Sequence, residues 1–364
     1  SNISILTWIK EYIESYGVQV HLVPNKKEKK ASLHCRIGPA VDCGVILSGH
    51  MDVVPVKGQD WTSDPFTLTD KGDGKLYGRG SCDMKGFLAC CLAVLPNMVD
   101  KNLKKPIYFA FSYDEEVGCI AAPELTKAIK NYYTEKPKYA IIGEPSMMEP
   151  ITGQKAIYIM DTYVNGSAGH SSRIKQEVSA IHEAMRLILW LEKKMDSLIE
   201  QGRFDNRFHP SHSTLHVGKV NGGIAPNVIA DKAHFSWDLR TIPSDNINDI
   251  VIEFEKYCRK QEDQLRKIYP GFKIQNKETH PIVPHLDTKS NDDVVELIKK
   301  ITGNSNIKTV SFAAEAGHFA NAGFNSAICG PGDIAQAHRA DEFISKDQLN
   351  KGVEMIRMLV EELS

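Results

Sequence analysis

The sequence has no apolar run approaching the roughly 18–20 residues that a membrane-spanning helix needs. It has no basic segment followed by an apolar one, the pattern of a signal peptide. It has no C-x-x-C pair among its eight cysteines, Cys35, Cys43, Cys82, Cys90, Cys91, Cys119, Cys258 and Cys329. Most of these sit in apolar or Gly-rich surroundings, as buried free thiols do. That argues against a disulfide framework and for a reducing, cytoplasmic compartment. Charge excess is small: 44 Lys and Arg against 46 Asp and Glu leave −2. The usual electrostatic reason for a nucleic-acid or membrane partner is therefore missing. No internal repeat or low-complexity segment stands out.

What is present is a chain of 364 residues, long enough for two domains. It opens at Ser1 inside an amphipathic helical pattern (Ile3, Leu6, Ile9, Ile13), so the native start is expected to be missing or trimmed. In the first 150 residues short apolar runs alternate with helical patterns. Val45-Ile46-Leu47, Ile107 to Phe111 and Tyr139 to Ile142 read as buried strands, with a helix from Met84 to Leu95 between the first two. Strands buried on both faces imply an α/β sheet with parallel members.

The middle of the chain follows another order. Ile157 to Val164 reads as a strand, Val178 to Ile199 as a helix, and Ser213 to Val220 and Val228 to Leu239 as strands. Ile247 to Ile268 is helical and Phe272 to Asn276 a final strand. The order β-α-β-β-α-β is that of a ferredoxin-like unit. After Pro284 a helix (Asp292 to Ile301), an apolar segment (Ser326 to Cys329) and a closing helix (Lys346 to Leu363) return to the first style. The fold class predicted is α/β: a mixed, largely parallel sheet in a domain of residues 1–158 and 278–364, interrupted by an α+β domain at 159–277.

Potential metal ligands gather behind the expected strands, where open α/β sheets place their sites. SGHMDVVP puts His50 and Asp52 after the first strand. GRGSCDMKG puts Asp83 in a Gly-rich turn before a helix, and FSYDEEVG puts Asp114, Glu115 and Glu116 after the second strand. IIGEPS supplies Glu144, and GPGDIAQAHRADEF supplies His338. Two imidazoles and several carboxylates suit Zn²⁺, Co²⁺ or Mn²⁺. A two-metal site needs one carboxylate that reaches both ions and one left free to move a proton. The adjacent Glu115 and Glu116 are able to divide ligation and proton transfer between them. Taken singly, each feature has an ordinary structural explanation; five of them, each after an apparent strand of one α/β domain, do not.

At these residues the sequence resembles the aminoacylase/carboxypeptidase superfamily of co-catalytic zinc hydrolases, and within it the acetylornithine deacetylase branch. The resemblance spans essentially the whole chain and is most specific at SGHMDVVPVKGQDWTSDPF, LYGRGSCDMKGF, FSYDEEVGC, IIGEPSMM and CGPGDIAQAHRADEFI. It implies two Zn²⁺ per chain, with Co²⁺ able to substitute. His50 and Glu144 would hold one ion, Glu116 and His338 the other, and Asp83 would bridge them, with a cis peptide to Met84. Asp52 would orient His50, and Glu115 would be the general base. In the inserted domain GSAGHSS resembles a segment whose histidine, here His170, reaches the partner subunit's active site and stabilises the oxyanion. NGGIAPNVIADKAHFSWDLR matches a segment whose Asn227 and Arg240 contact substrate. EAGHF places Glu315 and Gly317 at positions of site support or substrate contact.

The resemblance therefore implies an amide hydrolase acting on a small acyl-amino acid and a homodimer formed through the inserted lid/dimerisation domain. Two departures stand out. Arg173-Ile174-Lys175-Gln176-Glu177 replaces a less charged, proline-containing turn, which bears on substrate fit. His318 stands where the branch often has an apolar residue; a substrate contact, a surface histidine and a third metal contact are all open to it, with the surface reading favoured. The nearest rival activity is succinyl-diaminopimelate desuccinylase; a dipeptidase or general aminoacylase, and an inactive relative that only binds an amino-acid derivative, are the others.

Overall fold

The computed structural model describes residues 1–364, which divide into two compact units. The first comprises Ser1–Gln154, Leu286–Thr309 and Ala314–Ser364. Its centre is a nine-stranded mixed sheet. Val45–His50 lies between Ile107–Ser112 and Tyr139–Ile142, parallel to both, and Asn325–Ile328 runs parallel to Tyr139–Ile142. The residues of Val45–His50 and Ile107–Ser112 are buried throughout. This is why both strands read as continuous apolar runs rather than alternating ones.

The margins of the sheet are antiparallel. Val20–Pro24 and Ala31–Ile37 form a hairpin alongside Ile107–Ser112, and Ile151–Gln154 pairs antiparallel with Leu286–Asp287 at the other side. Helix Lys85–Asp100 lies beside helix Lys346–Glu362, and Phe87, Cys91, Leu95, Met355, Ile356 and Leu359 belong to one buried core. Helix Asp293–Thr302 shows local chemistry at both ends. The Asp292 side chain accepts the N–H of Val294, and Gly303 closes the helix at φ 68°, a conformation glycine adopts without a Cβ clash.

The second unit comprises Lys155–His285 and Val310–Ala313. Its four strands are ordered Thr214–Gly222, Lys232–Thr241, Ala156–Asn165, Lys273–Glu278, all antiparallel. Helices Ala180–Glu200 and Ile247–Leu265 complete the β-α-β-β-α-β order, packing around Trp237, Phe235, Phe254 and Leu187. The single strand expected over Val228 to Leu239 is two. Val228–Ile229 pairs with Gly169–His170, and a new strand starts at Lys232. The break has a hydrogen-bonding cause: the carbonyls of Ala230 and Asp231 accept the N–H groups of Ala180 and Gly166.

Candidate metal centre

Parallel register puts the ends of three strands side by side: His50 is level with Ser112, and Ser48 with Ile142. The chain leaves each strand carrying acids, which collect at one edge. Glu144 follows Gly143, where a Cβ would meet the Phe87 ring at 2.1 Å, so only glycine lets the backbone pass this close. Asp83 lies in the turn before helix Lys85–Asp100, and its peptide to Met84, the helix N-cap, is cis. His338, in a loop at φ 62°, stands 57% exposed, while His50 is 1% exposed.

Asp83 faces a histidine with each oxygen. Oδ1 lies 3.1 Å from His50 Nε2, and Oδ2 lies 3.3 Å from His338 Nε2. His338 Nε2 also lies 2.9 Å from Glu116 Oε2, and His50 Nε2 lies 3.8 Å from Glu144 Oε1. Two sets of donor atoms, His50 with Glu115 and Glu144, and His50 with Asp83 and Glu116, each fit within 4.8 Å and could hold a metal ion. Thus His50, Asp83, Glu115, Glu116, Glu144 and His338 are brought together. Glu115 stands as close to His50 and Glu144 as a ligand would.

Asp52 does more than face His50. His50 Nδ1 lies 3.1 Å from the Asp52 carbonyl and 3.5 Å from its carboxylate. The same carboxylate accepts the backbone N–H groups of Glu115 and Glu116, each at 3.2 Å.

Crowding of acids sets the titration behaviour. Burial opposes a charged His50, but hydrogen bonds to Asp52 and Asp83 outweigh it and hold its pKa well above the usual imidazole value. Hydrogen bonds to Asp83 and Glu116 push His338 up to about 10. Burial raises Glu115 to about 8, with His50 opposing and Glu116 and Asp83 adding to the rise. Glu144 is also pushed well up, by burial and then by Asp83 and Glu115.

Other expected residues have mixed surroundings. Glu315 is buried, and Ser48, on the strand that ends in His50, donates to it at 3.5 Å. Burial pushes Glu315 up to about 7. Gly317 is buried in the short helix Ala316–Asn321. His318 is not the surface histidine expected: it is half-buried, its Nε2 has no hydrogen-bond partner, and burial lowers it to about 4. Within the second unit, His170 and Asn227 are neighbours through the Gly169–His170 ladder, with the N–H of Ser171 donating to the Asn227 carbonyl. Both are exposed. Arg240 lies on a different strand of that unit, donating from Nη1 to the Ser311 carbonyl at 3.1 Å and from Nε to Asp238 at 3.3 Å.

Reading the motifs residue by residue left Arg79, Glu342, Gln59 and Cys119 without roles. Arg79 and Glu342 form a buried ion pair at 2.6 Å. The Cys119 thiol donates to Glu115 at 3.4 Å. The available signal was that each lies inside or beside a quoted motif, within GRGSCDMKG, ADEF, VKGQDW or EEVGC.

Comparison with known proteins agrees with this architecture. Residues 46–362 match the model of peptidase family M20/M25/M40. The chain is 32% identical over 369 residues to an acetylornithine deacetylase of Shigella sonnei, covering 99% of this chain and 91% of that one. Among solved structures, an M20 family metallo-carboxypeptidase from Sulfolobus solfataricus superposes with TM-score 0.76 at 18% identity, covering 98% of this chain and 92% of that one. A tripeptidase from Staphylococcus aureus superposes with TM-score 0.74 at 19% identity, covering 99% and 92%.

Proposed function

The chain belongs to peptidase family M20/M25/M40, and from that premise we propose that this metal-dependent amidohydrolase removes acetate from N2-acetyl-L-ornithine to give L-ornithine. The observation that carries the hydrolytic reading is the position of Asp83, one oxygen toward His50 and the other toward His338. The substrate is proposed from the Shigella sonnei relative.

The donor set fits a pair of divalent cations. Four carboxylates and two imidazoles converge, and burial with crowding of like charge pushes Glu115 and Glu144 toward their neutral forms, a cost that cations held here would relieve. We assign His50 and Glu144 to one Zn²⁺, Glu116 and His338 to the other, and Asp83 to both; Co²⁺ suits the same nitrogen and oxygen donors. Such ions, when bound, supply Lewis acidity toward a carbonyl and toward water.

The chain's own residues do the rest. Glu115 takes a proton from the attacking water and later gives it to the departing α-amine. Its backbone is fixed by Asp52, which also holds His50 from behind. His170 donates to the developing oxyanion, acting in the partner subunit of a homodimer built through the second unit. Arg240, with Nη2 still uncommitted, pairs with the substrate α-carboxylate, and Asn227 hydrogen-bonds the amide. The eight free cysteines suit a cytoplasmic enzyme.

Acyl preference follows from the cations. A succinyl group brings a second carboxylate, and the buried Lys155 is already committed, donating to the carbonyls of Pro210 at 2.8 Å and His212 at 2.7 Å. With Lys155 engaged, the second carboxylate would depend on the exposed Lys175, and left unpaired it would be costly to desolvate. The test is kcat/KM on the zinc-loaded enzyme for acetylornithine, acetylmethionine and succinyl-diaminopimelate. The acetyl compound is expected to lead the succinyl one by at least ~10²-fold, the scale of a few polar contacts, with acetylmethionine between. A preference for the succinyl compound would overturn the substrate and leave the hydrolytic reading standing.

A further inference from the structure

The turn that carries Asp83 and the loop that carries His338 are joined by a set of buried and half-buried side chains that ligate nothing themselves. Glu342 is fully buried, and its Oε1 accepts the consecutive backbone N–H groups of Cys82, at 2.9 Å, and Asp83, at 3.1 Å. Its Oε2 receives Arg79 Nη1 at 2.6 Å. Arg79 Nη2 continues to Gln59 Oε1 at 2.5 Å, and the same oxygen accepts the Trp61 indole N–H at 3.1 Å. Gln59 closes the path by donating from Nε2 to the backbone carbonyl of His338 at 2.8 Å. The Glu342 carbonyl also accepts the N–H of Gly78, which ties the far end of the turn to the same segment.

We propose that Arg79, Glu342 and Gln59 form a positioning clamp that sets the separation of Asp83 from His338. The inference rests on the assignment of those two residues to a shared metal ion. The physical argument is one of competing costs. A fully buried carboxylate and guanidinium are expensive to desolvate, and an apolar pair of similar volume would serve stability as well. What an apolar pair cannot do is accept two successive backbone N–H groups and pass a fixed donor to a loop carbonyl. Each link is directional, and every link up to Gln59 has an ionised donor or acceptor, so the turn and the loop are held at one spacing. A carboxylate that would serve two ions, one with each oxygen, would tolerate little error in that spacing.

Each residue has a distinct effect. Glu342 fixes the backbone of Asp83 itself, so its loss disturbs both ions that Asp83 is assigned to. Gln59 reaches only the His338 loop, so its loss disturbs one. The informative variant is Gln59→Glu. It keeps the acceptor for Arg79 and Trp61 and adds an ion pair, but it replaces the donor facing the His338 carbonyl with a repelling oxygen. A merely stabilising Gln59 would shift the melting temperature and leave metal binding unchanged; a positioning Gln59 would do the reverse.

The experiment is metal titration of the full-length chain, wild type and variants, with Zn²⁺ against a chromophoric chelator, together with the absorption spectrum of the Co²⁺-loaded protein. Gln59→Glu and Gln59→Ala are expected to weaken one of two dissociation constants by about 10-fold and Glu342→Gln both by about 10- to 100-fold, the scale for residues that orient ligands. The Co²⁺ bands should shift in all three, while Gln59→Glu keeps a wild-type melting temperature. Wild-type constants and an unshifted spectrum in Gln59→Glu would overturn the clamp, and this variant decides the matter even where Glu342→Gln does not fold. A wild-type chain that binds no tight pair of ions would instead overturn the metal assignment on which the clamp rests.

Discussion

The carboxylate of Asp52 accepts the backbone N–H of Glu115 at 3.2 Å, so the residue behind His50 also fixes the start of the acidic loop. Asp52→Asn keeps the size but turns an amide donor toward one of two N–H groups. Metal affinity and kcat are both expected to fall, by about 10- to 100-fold in affinity. Isothermal titration and steady-state kinetics on the same preparation check this; a loss of kcat with unchanged metal binding would limit Asp52 to the acidic loop.

Glu115 and Glu116 share one loop but differ in neighbours, Glu116 meeting His338 at 2.9 Å and Glu115 meeting the Cys119 thiol. Glu115→Gln should retain two metals and lower kcat at least ~10²-fold, the lower end for a positioned general base. Glu116→Gln should weaken one metal site. Elemental analysis of both variants decides: zinc lost from Glu115→Gln and kept by Glu116→Gln would exchange the two roles.

A homodimer is expected through the second unit, where the edge strand Thr214–Gly222 is largely exposed and Ile224 stands 87% exposed beyond it. Inactive His170→Ala chains mixed with inactive Glu115→Gln chains should recover part of the activity by forming heterodimers. Full activity of a monomer in dilute solution, measured with the mass by light scattering, would refute the assembly and the role of His170 together.

His34 gives an acid-sensitive contribution to stability away from the acids. It is 2% exposed, 3.0 Å from the Tyr133 hydroxyl, and burial lowers its pKa to about 4. The unfolded imidazole binds a proton below about pH 6.5, while the folded one does so only near 4. Its penalty is therefore absent above about 6.5 and grows as the pH falls toward 4, reaching about 2 kcal/mol at pH 5. Melting of chelator-treated protein at pH 7.5 and pH 5 should show a smaller drop for His34→Gln than for wild type; equal drops would assign the acid sensitivity elsewhere.

The sequence alone determined which strands lie at the centre. Val45-Ile46-Leu47, Ile107 to Phe111 and Tyr139 to Ile142 are apolar on both faces, the pattern of strands covered on both sides of a largely parallel sheet. It also determined that the acids cluster, because His50, Glu115 and Glu144 each follow one of those strands closely. It did not reveal the hairpin Val20–Pro24 with Ala31–Ile37, whose His34 and Arg36 interrupt the apolar pattern and take their hydrogen bonds from the distant Tyr133 and Glu135. Nor did it separate Val228–Ile229 from the strand that begins at Lys232, since the break lies in carbonyls turned toward Gly166 and Ala180. Tertiary structure decided that Asp83 shows a different oxygen to each histidine and that Glu342 holds the Asp83 backbone across 259 residues. Local pattern reports burial and periodicity over a few turns of chain. Hydrogen bonds between residues that distant exist only once the sheet has brought their loops together.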